Sequence, residues 1–264
     1  MNTAAALAAD LVRLGVKPGK VMMVHSSLGQ VGWTEGGPIT VIEALLDTLG
    51  PRGTLVMPAE SPQLADPTNH AVFDPRSTPT TMGAIPEGFR SYPGTLRSNH
   101  PLVSVCANGQ RAHEITAQHA LEFCEGRGTP FEKLYELDAW TLLLGVGFNR
   151  CRSLHYAESL VPNRRTMISR FPMIENGVRV WVERLSMGTD NGTHFPIVGQ
   201  RFIERGHVRS GKVGRADALL FPTRPLVDFA ERYFREVLQA RPTEPGRTAP
   251  RRWSTSSPRC RRSR

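Results

Sequence analysis

Lys20-Val21-Met22-Met23-Val24, then Gly36-Gly37-Pro38, then Thr54-Leu55-Val56-Met57 is the stretch that decides the fold. The first and last segments are short apolar runs of the kind that form buried strands. Between them, Pro38 stands at the tolerated first position of a helix whose apolar positions are Ile39, Ile42, Leu45, Leu46 and Leu49. Upstream, an Ala-rich segment with Leu7, Leu11 and Leu14 reads as an amphipathic helix ending near Gly15. The order α-β-α-β implies two parallel strands joined by a crossover helix.

Working outward, residues 58–81 form a long polar loop rich in Pro and Asp, which in a compact domain points to function. A helix is predicted over 83–91, a strand over Leu102–Cys106 and a helix over 110–118. Thr129-Pro130-Phe131-Glu132 has the form of a capping box. Trp140–Val146 is the most apolar strand, and Ser153–Leu160 reads as a helix. Met167–Ile174 and Val178–Arg184 flank Glu175-Asn176-Gly177, a hairpin signal. Helices near 195–205 and 224–239 close the body. The fold class is therefore α/β: one domain over residues 1–240, with a mixed, partly parallel central sheet flanked by helices and an antiparallel portion.

The chain has 264 residues and a formal net charge of +9. Residues 241–264 hold eight arginines against Glu244, which leaves only +2 for residues 1–240. The basic character therefore belongs to a Pro-, Ser- and Arg-rich tail that reads as disordered. No nucleic-acid partner is expected for the near-neutral body. No apolar run is long enough to span a bilayer and no secretory signal is evident, so no membrane association and a cytoplasmic location are expected. The four cysteines have no C-x-x-C spacing, and no His/Cys/Asp cluster has metal-ligand spacing, so no metal is expected. Composition leaves monomer and homodimer open.

Four constellations could carry chemistry. His25-Ser26-Ser27 closes a parallel strand, where α/β folds place ligands, and Gly36-Gly37-Pro38 opens a helix with free N–H groups. A Ser-rich turn and an ordinary helix cap read the same residues equally well. His155 and Glu158 lie three apart on one helix face, so the carboxylate could orient and strengthen an imidazole base. His119 and Glu122 share that spacing but fall in a polar stretch expected to be exposed. Arg97-Ser98-Asn99-His100-Pro101 with Ser104 could meet a phosphate, or could simply be a strand entry. Glu60, Asp66 and Asp74 could attract a polycation, or could be solvated loop acids. Cys106 and Cys151 read as buried, inert thiols.

Together these residues resemble the aminoglycoside 3-N-acetyltransferase family. The matching stretches are Val24-His25-Ser26-Ser27-Leu28, Gly36-Gly37-Pro38, Gly53-Thr54-Leu55-Val56-Met57-Pro58 and Phe73-Asp74-Pro75. They continue through Arg97-Ser98-Asn99-His100-Pro101, Leu142-Leu143-Leu144-Gly145, Leu154-His155-Tyr156-Ala157-Glu158, Pro162-Asn163-Arg164-Arg165 and Gly211-Lys212-Val213-Gly214-Arg215-Ala216. The resemblance covers residues 3–238 in order. It implies an α/β fold distinct from the common GNAT acetyltransferases. It implies acetyl transfer from acetyl-CoA to the 3-amino group of a 2-deoxystreptamine aminoglycoside, an antibiotic-resistance activity.

By position, the resemblance makes His155 the base, Glu158 its partner, and His25 a neighbour of the thioester. Ser26, Ser27, Gly36, Gly37, Arg97, Ser98, His100 and Ser104 would serve acetyl-CoA; on charge rather than resemblance, Glu60, Asp66, Asp74 and Asp190 are the candidate drug ligands. Residues 186–195 depart from the family pattern, because Asp190 is the one carboxylate there. Acetylation of a different amine, non-catalytic binding of CoA or drug, and RNA binding through the tail remain as alternatives.

Overall fold

The computed structural model describes residues 1–162, 164, 166–188 and 192–239. The Arg-rich tail, Asn163, Arg165 and the candidate drug ligand Asp190 lie outside the described residues.

Helix α1 (Ala4–Leu14) starts at Thr3, whose hydroxyl accepts from the Ala6 N–H, and ends at left-handed Gly15. It leads into β1 (Val21–Ser26), the single-turn α2 (Leu28–Val31), α3 (Pro38–Leu49) and β2 (Thr54–Pro58). The loop after β2 is irregular apart from a 3₁₀ turn at Pro62–Ala65. Then come α4 (Ala84–Arg90), the two-residue β3 (Leu96–Arg97), β4 (Val105–Gly109), α5 (Ala112–Thr116), α6 (Pro130–Glu136), β5 (Trp140–Leu144) and α7 (Ser153–Ser159). The hairpin β6 (Thr166–Glu175) and β7 (Val178–Met187) precedes α8 (His194–Glu204), β8 (Arg209–Val213), β9 (Ala216–Pro222) and α9 (Thr223–Gln239).

Seven strands form one sheet in the order β3-β4-β2-β1-β5-β9-β8. β1 pairs in parallel with both β2 and β5, and the outer pairings are antiparallel. The expected mixed sheet is thus present, with a parallel centre and antiparallel wings. β6 and β7 form a separate two-stranded sheet, turning at Asn176 and Gly177 with φ of 53° and 77°.

Side chains of the central strands alternate between two cores. Met22, Val24, Leu55, Met57, Leu142 and Leu144 pack with α1, α3 and α4. Met23, Val56, Leu143 and Phe221 face the other way, against α5 to α9. This alternation sends His25, two residues beyond Met23, to the α7 side. Gly145 (φ 70°) then turns the chain under α2, where a Cβ would stand 2.4 Å from the Cβ of Gln30.

Several expectations move. The α3 face that packs is Val41, Ile42, Ala44, Leu45 and Leu49, and Ile39 is exposed. The strand expected at Leu102–Cys106 begins only at Val105, because the Leu102 and Val103 N–H groups donate to His100 Nδ1 and hold a turn. The capping box at Thr129 is not made: its hydroxyl donates to the Gly126 carbonyl, and Glu132 accepts from the Gly128 N–H. β8 and β9 lie outside the elements expected from the sequence; β8 is Arg-Ser-Gly-Lys-Val, with Val213 its one apolar residue and no alternation to mark it. No helix among the described residues is long and apolar enough to cross a membrane.

Candidate active site

A cleft of about 530 Å³ opens at the carboxyl ends of β1 and β2. His25 and Ser26 from β1, Ser27 just after it, Glu60 from beyond β2, Thr81–Ala84 at the start of α4, and Asn149, Arg150 and Arg152 before α7 help form its walls. Such a position outside parallel strand ends is where open α/β sheets bind ligands.

His25 is 4% exposed, and its Nε2 accepts from the Arg152 N–H at 3.4 Å. Burial, followed by the charge of Arg152, pushes its pKa down to about 3. His155 is fully buried behind the cleft wall in α7. Its ring lies 4.7 Å from Phe195 of α8, and Nδ1 stands 3.7 Å from Glu158 Oε2. Among the described residues neither of its ring nitrogens has a hydrogen-bond partner. Burial, then Arg152 and His25, hold its pKa well below the ordinary histidine value, so the ring is neutral with an available lone pair.

Arg152 is the hub that sequence reasoning missed. Its guanidinium pairs with Glu60 through Nη2 and with Glu125 Oε1 through Nη1 at 3.3 Å. Glu60 and Glu125 are 5% and 4% exposed. Burial raises Glu60 to a pKa of about 7 against the opposing pull of Arg152. Glu60 is therefore a buried, ion-paired group rather than a solvated loop acid. The signal that could have found Arg152 is its place three residues before His155, on the same side of one turn.

The remaining candidates are distributed differently. Arg97 does not reach the cleft. Its Nε donates to Ser104 Oγ, Nη1 to the Thr78 carbonyl, and Nη2 to the Ala59 carbonyl and Ser61 Oγ, with Phe73 under the guanidinium. Ser104 Oγ also donates to the Ala59 carbonyl. Ser98 Oγ accepts from the Val105 N–H and bonds His119 Nδ1, and the His100 ring lies 4.7 Å from that of His119, tilted by 39°. Arg97, Ser98 and Ser104 commit their polar side-chain atoms to other groups of the fold instead of lining the cavity, whereas His100 Nε2 has no hydrogen-bond partner among the described residues. His119 is itself half-buried with both ring nitrogens bonded, not exposed beside Glu122.

Gly36 and Gly37 turn into α3 with φ of 75° and 61° but are not among the lining residues. Asp66 and Asp74 are exposed and cap their own turns. Cys106 and Cys151 are buried thiols pushed up to about 12. Among the described residues no group of three or more His, Cys, Asp or Glu could hold a metal ion.

The family model of aminoglycoside 3-N-acetyltransferase matches residues 23–235. The SPbeta prophage-derived aminoglycoside N(3')-acetyltransferase-like protein YokD of Bacillus subtilis (strain 168) is 38% identical over 252 residues, covering 88% of this chain and 92% of its own. Aminoglycoside N(3)-acetyltransferase IX of Micromonospora chalcea is 32% identical over 250 residues, covering 84% and 89%. Among solved structures, AAC-IIIb in binary complex with CoASH superposes with a TM-score of 0.83 at 30% identity, covering 89% of this chain and 97% of that one.

Proposed function

The chain belongs to the aminoglycoside 3-N-acetyltransferase family, and on that premise we propose that His155 is the general base of its reaction, with Glu158 as its partner. The enzyme transfers the acetyl group of acetyl-CoA to the 3-amino group of a 2-deoxystreptamine aminoglycoside. The product amide has lost a positive charge, which weakens its attraction to an RNA target and confers resistance. The cleft suits the co-substrate: it has room for a pantetheine arm, and Ser26 Oγ points no hydrogen bond elsewhere among the described residues.

His155 takes the proton that the attacking amine must lose, and the Glu158 carboxylate stabilises the imidazolium that forms in a buried site. Ser26 donates to the carbonyl oxygen as it gains charge. The amine nitrogen bonds to the carbonyl carbon, the carbon–sulfur bond breaks, and His155 returns its proton to the departing sulfur. His155 and His25 enter the cycle neutral, held so by burial and Arg152. Direct transfer is favoured over a covalent thiol route because Cys106 and Cys151 are buried and strongly disfavour the thiolate.

The observation that carries the assignment is His155 itself: a buried imidazole with two unpartnered ring nitrogens beside a carboxylate, adjoining a cleft-lining arginine. Thiol release from acetyl-CoA, followed with an aminoglycoside panel, tests it. His155→Ala is expected to lower turnover by about 10²–10⁴-fold while acetyl-CoA binding persists. Near-normal turnover in that variant would remove His155 from the mechanism.

A further inference from the structure

Resting on the reading that acetyl-CoA reacts in this cleft, we infer that His25 is a further catalytic residue: a neutral imidazole protonated on Nδ1, which donates a hydrogen bond to the thioester carbonyl oxygen as charge develops there. The bond at its other nitrogen fixes the tautomer. His25 Nε2 lies 3.4 Å from the backbone nitrogen of Arg152, whose N–H points at it. A peptide N–H only donates, so Nε2 must present its lone pair. Burial, and then the charge of Arg152, lower the pKa of the ring to about 3, so it carries one proton. That proton is on Nδ1.

Nδ1 is open to the cleft that the residue lines. Among the described residues the ring makes one hydrogen bond, the one to Arg152. Nδ1 is not among the fully enclosed polar atoms, which include both nitrogens of His155. β1 sends His25 to the face that carries α7, so His25 and Ser26 reach the cleft from opposite faces of the strand end. Two other roles fit less well. A general base needs a free lone pair, and that of His25 is occupied by the Arg152 N–H. A charged imidazolium would donate more strongly, but burial and the Arg152 guanidinium oppose it. A neutral imidazole is enough to polarise a carbonyl, and it keeps its proton throughout. The carbon–sulfur bond still breaks as described above, with His155 carrying the proton. Arg152 couples the two histidines through its backbone: its N–H sets the tautomer of His25, and its carbonyl accepts from the His155 N–H at 3.0 Å. One residue thus holds the donor and the base together.

His25→Gln and His25→Asn separate the two ends of the ring. The Gln side chain reaches the Nε2 position and can still accept from Arg152, but leaves no donor at Nδ1. Asn places an N–H near the Nδ1 position and leaves Nε2 unreplaced. Turnover at saturating acetyl-CoA and aminoglycoside should fall by about 10²–10³-fold in His25→Gln, with acetyl-CoA affinity by calorimetry changed little, and His25→Asn should regain about tenfold of that loss. The reverse order would mean that His25 only supports Arg152, and it would overturn the inference, as would equal losses in the two variants. Nitrogen-15 spectra of the unsubstituted protein, with the ring assigned by through-bond connection to the His25 backbone, read the tautomer without turnover or a variant. A proton on Nδ1 and none on Nε2 is expected, and a proton on Nε2 would sink the inference. His155→Ala in the same assay keeps this inference apart from the reading it rests on. Near-normal turnover there counts against the base, whereas normal turnover in His25→Gln beside a collapsed His155→Ala removes His25 alone.

Discussion

At the cleft, Ser26 Oγ, Glu60 Oε1 and both ring nitrogens of His155 have no hydrogen-bond partner among the described residues. On the far side of Glu60, Arg97 places all three guanidinium nitrogens on protein acceptors, and Ser98 and His119 bond each other. Both clusters are buried and polar, and both coincide with family-like motifs. They differ in where most of their hydrogen bonds go, although His100 Nε2 of the second cluster also lacks a partner among the described residues. A buried polar atom without a partner costs about 1–3 kcal/mol, so a fold keeps one where a ligand or a reaction will use it. The committed cluster serves the other. Arg97 and Ser104 fix Ala59 and Ser61 on either side of Glu60, while His119 bonds the Cys124 carbonyl beside Glu125. One region borders the cleft, and its neighbour holds the backbone on either side of Glu60 and beside Glu125.

The sharpest test of this contrast substitutes one residue from each cluster. With Ser26 as the proposed donor to the reacting carbonyl, Ser26→Ala should lower turnover by about 10²–10³-fold with melting temperature nearly unchanged. Arg97→Gln should do the reverse, lowering stability by about 1–3 kcal/mol with a modest effect on the acetyl-CoA KM of the folded fraction. If Arg97→Gln instead raised that KM strongly at unchanged stability, Arg97 would be a CoA ligand and the contrast would fail.

The sequence was most informative where a repeating pattern exists. The parallel centre of the sheet, the hairpin at Asn176-Gly177 and the face of α9 all follow from apolar spacing and turn chemistry. β8 escaped because four of its five residues are exposed and it pairs through its backbone alone. The offset of β4 escaped because a histidine side chain, His100, accepts two backbone N–H groups that a strand would otherwise use. For the site, His25, Ser26, Ser27 and Glu60 meet at one cleft with His155 and Glu158 behind. Arg97, Ser98, His100 and Ser104 match the motif equally well, yet their direction depends on contacts up to 45 residues away in the chain. Spacing cannot distinguish an arginine that faces a ligand from one that faces Ala59. Arg152 and Glu125 were missed for the same reason: their pairing joins segments 27 residues apart.

Both clusters hold neutral histidines, which makes a smaller prediction about acid. His25 and His119 are lowered to about 3, His100 to about 4, and His155 also lies well below the ordinary 6.5, in each case first by burial. The unfolded chain binds protons at these groups before the folded one does, so stability is complete above pH 6.5 and is lost as pH falls below it. Glu60 acts oppositely: raised from 4.5 to about 7, it makes stability decline as pH rises through that interval. Four histidines against one carboxylate leave a net loss on acidification, on the order of 1–2 kcal/mol per histidine by pH 5. Melting curves between pH 5 and 7 should show it, with His119→Gln shallower and Glu60→Gln steeper than the parent. A flat profile would mean that the histidines are hydrated and that neither cluster is closed.

The smallest expected effect concerns the loop acids, and it marks the outer limit of the reactive region. Asp66 accepts from the Thr68 N–H at 2.8 Å and from its hydroxyl at 2.7 Å, and Asp74 accepts from the Arg76 N–H at 2.9 Å and from Ser77 Oγ at 2.7 Å. These are local turn bonds of the kind Asp makes in any loop, and they account for the lowered pKa of both carboxyls. Each group is exposed, and its field is screened within about 8 Å at physiological salt. Asp66→Ala and Asp74→Ala should therefore shift aminoglycoside affinity by less than about twofold, while Glu60→Gln, inside the cleft, shifts it more. Calorimetry on the three variants ranks them directly. If either loop variant weakened binding as much as Glu60→Gln, the loop would close over the bound drug. The acidic counter-charge would then come from outside the cleft wall.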